Sequence, residues 1–395
     1  MSDRKKIAAV ITTYYPRSHA DVLLGKFLEG FPTDDGHVDP RVDVASVYMD
    51  QRHKDDMCYG LSEKHGFRMC ESIREAMILD EKELAVDGVL IVGEHGDYPW
   101  NRREQHLYPR KYFFEQVTGV FEESGRSVPV FSDKHLSWNW HDAKWMADQA
   151  SELDFAFMAG SSIPYSWRSP WVEFDKGTLF EGATAVGYGG NESYGFHMLE
   201  GLQCMVERRK GAETGVEAVQ CLEGEEAWKA AGDGLWNADL AEAACSQVPD
   251  MTDEPMREKS ENPCVFLVDY QDGFNAAAVM LHGYSRSFGF GAQVGGETVS
   301  FDYVLKNGEP WSHFSYLGLN IEEMFITCKP SMAYERTLLV TGMLEAAMIS
   351  RHEGHRRVET PHLNVAYESY NELPYHPRKE KPEGASVGKE EGDES

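Results

Sequence analysis

The sequence predicts an α/β protein of two domains: a parallel sheet wound with helices, then an α+β half on an open, mainly antiparallel sheet. Three observations predict it. The chain has 395 residues, more than one ordinary hydrophobic core accommodates. In its first part, apolar runs of strand length alternate with segments of helical periodicity, the pattern of parallel strands joined by right-handed crossovers. Beyond Pro170, strand-like segments follow one another without intervening helices, which suggests antiparallel pairing.

The elements read off in order. Ile7 to Ile11 is a short apolar run, as in a strand buried on both faces. His19 to Phe31 carries Val22, Leu23, Phe27 and Leu28 at helical spacing. Val42 to Met49 is a second strand ending at Asp50, and a helix follows towards His65. Ser72 with Glu75 after it marks a helix start through a capping box. Asp87 to Gly93 is the clearest strand, then come helix Tyr112 to Glu123, strand Val128 to Phe131, helix Trp140 to Leu153 and strand Phe155 to Ala159. This order is that of a Rossmann-type domain. In the second half, strands are expected at Ala183 to Gly190 and Gly215 to Leu222, with a long helix Phe196 to Arg209 between them. Residues 223–262 read as peripheral helices. Cys264 to Tyr270 and Asn275 to His282 flank Gln271-Asp272-Gly273 as a hairpin, and Ser287 to Gly296 and Glu297 to Val304 extend a meander. Thr337 to Arg351 is a late helix, and the Pro-, Lys- and Glu-rich end reads as a disordered acidic tail. The implied divisions are 1–165, 166–335, a closing helix and return segment 336–365, and the tail 366–395.

Charge restricts the partners. Lys plus Arg is 38 and Asp plus Glu is 66, a net −28 that repels phosphate backbones and anionic lipid. Nucleic acid and membrane are therefore not expected partners, and a small-molecule substrate is. No apolar run approaches the roughly eighteen residues of a membrane span. The seven cysteines are dispersed without a C-x-x-C pair, which reads as reduced thiols in a cytoplasm. An apolar sheet face over residues 264–304, carrying Val265, Leu267, Val279 and Leu281, needs cover, so a homo-oligomer is expected.

Ligands in open parallel sheets bind outside the carboxyl ends of the strands. The first strand runs into Thr12-Thr13-Tyr14-Tyr15-Pro16-Arg17-Ser18-His19, without the G-x-G-x-x-G through which backbone amides approach a pyrophosphate. Thr12, Thr13 and Ser18 offer hydroxyls there and Arg17 a charge. Asp50, closing the second strand, is placed to accept ribose hydroxyls, which favours NAD over NADP. Gly93-Glu94-His95-Gly96, Asp133-Lys134-His135 and Gly160-Ser161-Ser162 end three successive strands and converge polar groups on one crevice. Cofactor contacts are assigned to Thr12, Thr13, Asp50, Gly93, Glu94, His95 and Asp133, and substrate contacts to His135, Ser161 and Ser162.

The order of elements resembles the Gfo/Idh/MocA oxidoreductase family over most of residues 5–365, as do two short motifs. Asp133-Lys134-His135 stands where that family has Glu-Lys-Pro, so Lys134 matches its active-site lysine. Gly189-Gly190 ahead of His197-Met198-Leu199-Glu200 resembles its glycine pair before an H-x-x-D helix, so His197 matches the catalytic histidine and Glu200 the following acid. Two departures stand out: the glycine fingerprint is missing, and Ser193 replaces an aspartate four residues before the histidine. Gly93-Glu94-His95-Gly96, Asp133-Lys134-His135-Leu136-Ser137 and Gln203-Cys204-Met205-Val206-Glu207-Arg208-Arg209 resemble the hallmarks of a divergent subgroup of this superfamily.

The resemblance implies an NAD(P)-dependent oxidoreductase acting on a sugar, cyclitol or related polyol, with Lys134, His197 and Glu200 as its catalytic groups. Two alternatives stand beside it. One is a lyase, hydratase or epimerase using tightly held NAD or a metal, and the other a non-catalytic sensor. A metal would draw on His95, His135, His197 and Glu200, although no H-x-x-x-H or H-E-x-x-H spacing is present.

Overall fold

A computed structural model describes residues 4–249, 251–305 and 309–377. Strand β1 (Lys5–Ile11) leads through a π-helical turn, Ala20–Leu24, into α1 (Gly25–Glu29), and a small hairpin β2 (Phe31–Thr33) and β3 (Gly36–Val38) follows. Then come β4 (Val42–Met49), α2 (Cys58–His65), β5 (Arg68–Cys70), α3 (Ile73–Ile78), β6 (Gly88–Val92), α4 (Arg110–Ser124), β7 (Val130–Asp133), α5 (Trp140–Glu152) and β8 (Phe157–Gly160). Six of these strands form one sheet in the order β5-β4-β1-β6-β7-β8, with every pair parallel. Residues 7–11 of β1 are fully buried because the sheet is covered on both faces. The cap at Ser72 forms as its sequence predicts, its hydroxyl accepting from Glu75 N at 3.1 Å.

The second half contributes β9 (Trp167–Ser169), β10 (Phe180–Gly187), α6 (Ser193–Val206), β11 (Val216–Glu223), α7 (Gly224–Gly232), α8 (Ala238–Cys245) and α9 (Met256–Lys259). It continues with β12 (Cys264–Tyr270), β13 (Asn275–Met280), β14 (Phe288–Val294), β15 (Glu297–Val304), α10 (Ser315–Thr327), α11 (Glu335–His352) and β16 (Val358–Glu359). Its eight strands run in the order β16-β11-β12-β13-β10-β14-β15-β9. All neighbours are antiparallel except β10 and β13. The expected meander is thus interrupted, because β10 lies between β13 and β14.

Three further expectations need correction. The sheet face carrying Val265, Leu267, Val279 and Leu281 is buried beneath α7 and α8, whose Ala227, Trp228, Ala241 and Ala244 pack onto it. The helices of residues 224–259 are therefore the cover, and the ground for expecting a homo-oligomer is gone. Helix α10, unforeseen in the sequence, packs on the first domain: Leu317, Ile321, Met324 and Phe325 share a core with Ile7, Phe27, Phe31 and Leu90. The division at 335 therefore does not follow the packing. Residues 366–377 are no disordered tail, since Leu373 is buried and Tyr367 and Ser369 bond to Glu207; residues 378–395 lie outside the described residues. All seven cysteines are free thiols. Among the described residues, no helix is long and apolar enough to cross a membrane.

Candidate active site

The carboxyl ends of β1, β6, β7 and β8 face helix α6 of the second domain across a cavity of about 520 Å³. Tyr15, Arg17, His19, Glu94, His95 and Lys134 line it from the first domain, and Glu192, Ser193, Tyr194, His197 and Phe288 from the second. Lys134 and His197 therefore share one cavity although 63 residues (197 − 134) separate them. The chain strains to present two of these groups. His95 and Lys134, at successive strand ends, have φ of 70° and 69°, a left-handed conformation uncommon outside glycine. Lys134 N donates to Gly160 O at 3.1 Å, which fixes that turn.

Charge in the cavity is organised around Glu94. Its carboxylate takes the buried Arg110 guanidinium on one oxygen and the Lys134 ammonium, 3.5 Å away, on the other. Burial alone would raise the Glu94 pKa, but Lys134 and Arg110 outweigh it and hold the group well below the usual carboxylate range. Arg110 also donates to His135 Nε2 at 2.9 Å. That nitrogen faces Glu192 Oε1 at 3.1 Å, but with its lone pair committed to Arg110 it has no proton to give. Glu192 Oε1 is left buried without a hydrogen-bond donor among the described residues.

The histidines are held in defined states. Burial, with the Lys134 charge next, keeps His197 well below its ordinary pKa, so the ring is neutral. Ser161 Oγ lies 2.6 Å from His197 Nδ1 and already accepts from Ile163 N at 3.1 Å. Among the described residues the Ser161 proton has no acceptor other than Nδ1, so Ser161 donates to Nδ1 and the neutral ring carries N–H at Nε2. Burial and the neighbouring His19 push His95 down to about 4. His95 Nδ1 accepts from His19 N at 3.3 Å. His19, singled out by no sequence signal, places Nδ1 2.7 Å from Asp133 Oδ2.

Several assigned residues fall elsewhere. His135 is buried behind the cavity, clamping Arg110. Ser161 supports His197, and its neighbour Ser162 lines the cavity. Gly93 packs against the Arg110 side chain, and the Thr12 hydroxyl donates to Glu94 O at 2.6 Å. Asp50 accepts from Tyr48 at 2.8 Å and Tyr98 at 2.6 Å, one hydroxyl per oxygen, and remains exposed just beyond β4. Asp133 is taken up by His19. His95, His135, His197 and Glu200 do not converge as a metal-binding group. Glu192, one residue before Ser193, lines the cavity.

Glu200 does not orient His197. Its carboxyl meets Thr337 Oγ1 at 2.8 Å, behind Gly160, where φ is 122° and a Cβ would come within 2.9 Å of Glu200 Oε2. Thr337 Oγ1 also lies 3.0 Å from Ala159 O and has one proton for two acceptors. A protonated Glu200 resolves this, donating to Thr337, which donates onward to Ala159. Burial, opposed by Arg336, raises the Glu200 pKa to about 7 in agreement. A carboxyl with a raised folded pKa adds stability that is present below its unfolded pKa and is lost as pH rises through about 7. Glu200→Gln imitates the neutral acid and should stabilise the protein at pH 8 by roughly 1–3 kcal/mol, with little gain at pH 5. Chemical denaturation at both pH values measures it, and equal effects at the two would contradict a neutral Glu200.

The residues present accommodate a dinucleotide. A second cavity, of about 410 Å³, lies where β1 and β4 end and shares Tyr15 and Gly96 with the first. Thr13, Gln51, Arg52, His53 and Lys54 line it, and Thr13 Oγ1 is buried without a hydrogen-bond partner. Arg17 at the first cavity's edge has no ion-pair partner among the described residues, a free cation in a chain of net charge −28.

No protein-family model matches the chain, and no curated protein matches it in sequence. Solved structures do resemble it. GenD2 from gentamicin A biosynthesis, in complex with NAD, superposes with a TM-score of 0.56 at 17% identity, covering 91% of this chain and 97% of that one. Myo-inositol 2-dehydrogenase from Lactobacillus plantarum gives 0.56 at 11% identity, covering 90% and 99%. Myo-inositol dehydrogenase from Lactobacillus casei, in complex with NAD(H) and myo-inositol, gives 0.53 at 10% identity, covering 90% and 96%. The chain has the two-domain fold of the Gfo/Idh/MocA-type oxidoreductases.

Proposed function

We propose that the chain is a nicotinamide-dependent oxidoreductase acting on a hydroxyl group of a sugar, cyclitol or related polyol. One observation carries the reading: Lys134 and His197, from opposite domains, line one cavity at the carboxyl edge of a dinucleotide-type sheet. NAD, the form in two of the similar structures, is the first cofactor to test. When bound, it supplies a hydride acceptor. Thr13, Arg17 and the wall from Gln51 to Lys54 would hold its phosphates and adenosine end.

The chain's own groups do the rest. The Lys134 ammonium and His197 Nε2–H both donate, so together they hold the reacting oxygen and stabilise negative charge as it develops there. Glu94 and Arg110 keep Lys134 in place. Glu192, which lines the same cavity, accepts a second substrate hydroxyl. Burial of Lys134 and His197 to 3% and 9% exposure keeps water from these contacts.

A second reading is a lyase or epimerase on the same scaffold, favoured by the internal partners of Asp50 and Asp133. Deuterium separates the two. With NAD and myo-inositol or another polyol deuterated at its ring carbons, oxidation puts deuterium on the reduced nicotinamide. A product formed without label reaching the dinucleotide would favour the second reading.

A further inference from the structure

Lys134 and His197 donate to the reacting oxygen, and neither takes its proton. Lys134 is ion-paired with Glu94 and has no lone pair in that state. His197 Nδ1 is occupied by Ser161, which leaves a proton on Nε2. His95 Nδ1 accepts a backbone N–H, so its proton also lies on Nε2. His106 stacks on Trp100, packs against Tyr108 and donates Nε2–H to Tyr98 O at 2.9 Å.

We propose that His19, held by Asp133, is the proton acceptor of this cavity. Asp133 is 1% exposed and, ionised, can only accept, so His19 Nδ1 carries the proton and Nε2 the lone pair. The carboxylate both fixes that tautomer and stabilises the imidazolium that forms, the logic of a histidine–aspartate pair in hydrolases. The ring lines the cavity with its centroid 6.1 Å from that of His197, so acceptor and donor border the same space. His19 opens the π-helical turn Ala20–Leu24, an insertion geometry frequent at functional sites.

In the step, the substrate O–H bond breaks and its proton bonds to His19 Nε2. The electron pair stays on oxygen, which Lys134 and His197 receive. In the reverse direction the imidazolium returns the proton. Arg17 faces His19 from its own segment, Glu94 and His95 from the turn after β6, Asp133 from β7 and Lys134 from the residue after it, His197 from α6, and His313 and Phe314 from the segment before α10. Asp133 is a positioning residue, and its removal should act through the state of His19.

The proposal rests on the catalytic reading of the cavity, but its first test needs no substrate. Histidine ¹⁵N spectra of the full chain, with His19→Asn identifying the signal, should show neutral His19 protonated at Nδ1. Asp133→Asn should shift it towards the Nε2–H form. An Nε2–H ring in the unmodified protein would overturn the assignment. The second test is turnover with NAD and myo-inositol or whichever polyol reacts. His19→Asn retains the hydrogen bond to Asp133, so it should keep dinucleotide affinity and melting temperature. It should also lose about 10²–10⁴ in kcat together with the acidic limb of the pH profile. An unchanged rate and profile would remove His19 from the mechanism. An Nδ1–H ring in a protein that binds no dinucleotide would instead sink the redox reading and leave the histidine assignment standing.

Discussion

Lys134→Met lowers kcat by about 10²–10⁴ while the protein stays folded. The methionine keeps the alkyl stem of a side chain that is 3% exposed, so packing changes little. Glu94 keeps its second cation, Arg110, and is not left as an unpaired buried charge. What disappears is the ammonium beside the reacting oxygen. Because that charge matters most as the oxygen becomes negative, kcat should fall more than KM rises. The left-handed backbone at 134 is unaffected, since Lys and Met are alike there. Steady-state kinetics and a thermal melt on the same preparation separate the two effects. A variant that turns over as fast as the parent would exclude Lys134 from the chemistry.

The second large effect is on stability. Arg336 in α11 forms a bidentate pair with Glu207 at the end of α6, with Nε to Oε2 at 2.7 Å and both residues buried. Tyr367 and Ser369 of the final segment donate to the same carboxylate at 2.8 and 2.6 Å. The pair thus ties the helix bearing His197 to α11 and to the C-terminal strap. Arg336→Met strands the carboxylate on two hydroxyls, at a cost of about 3–5 kcal/mol. Adding Glu207→Met should recover more than half of that loss, because the penalty comes from the unpaired charge rather than from the lost pair. Urea denaturation of the two single variants and the double variant completes the cycle. Additive losses would show that the partners do not interact.

The sequence exposed what is local and missed what is assembled from afar. Residues 7–11 show as a strand because burial on both faces leaves a continuous apolar run, and Ser72 shows as a cap because its partner Glu75 is one turn away. Helix α10 gave no stripe because it is buried almost all round, from Leu317 to Phe325. The place of β10 between β13 and β14 depends on pairings about a hundred residues apart, which no local pattern encodes. The site follows the same rule. Lys134 and His197 stand in short motifs. His19 is a lone histidine at a helix start, and the aspartate that gives it a role is 114 positions away. Glu192 is offset by one residue from Ser193, where an acid was sought. Glu200 keeps motif spacing but sits behind the cavity, because Gly160 lets its carboxyl approach Thr337 instead.

Titration calorimetry of the purified full-length protein with NAD and with NADP tests the central claim most directly. The account predicts saturable binding of a nicotinamide dinucleotide at one site per chain, weakened by Thr13→Tyr, which fills the cavity at the end of β1. Absence of heat and of any melting shift with either dinucleotide at millimolar concentration would contradict a nicotinamide-dependent enzyme.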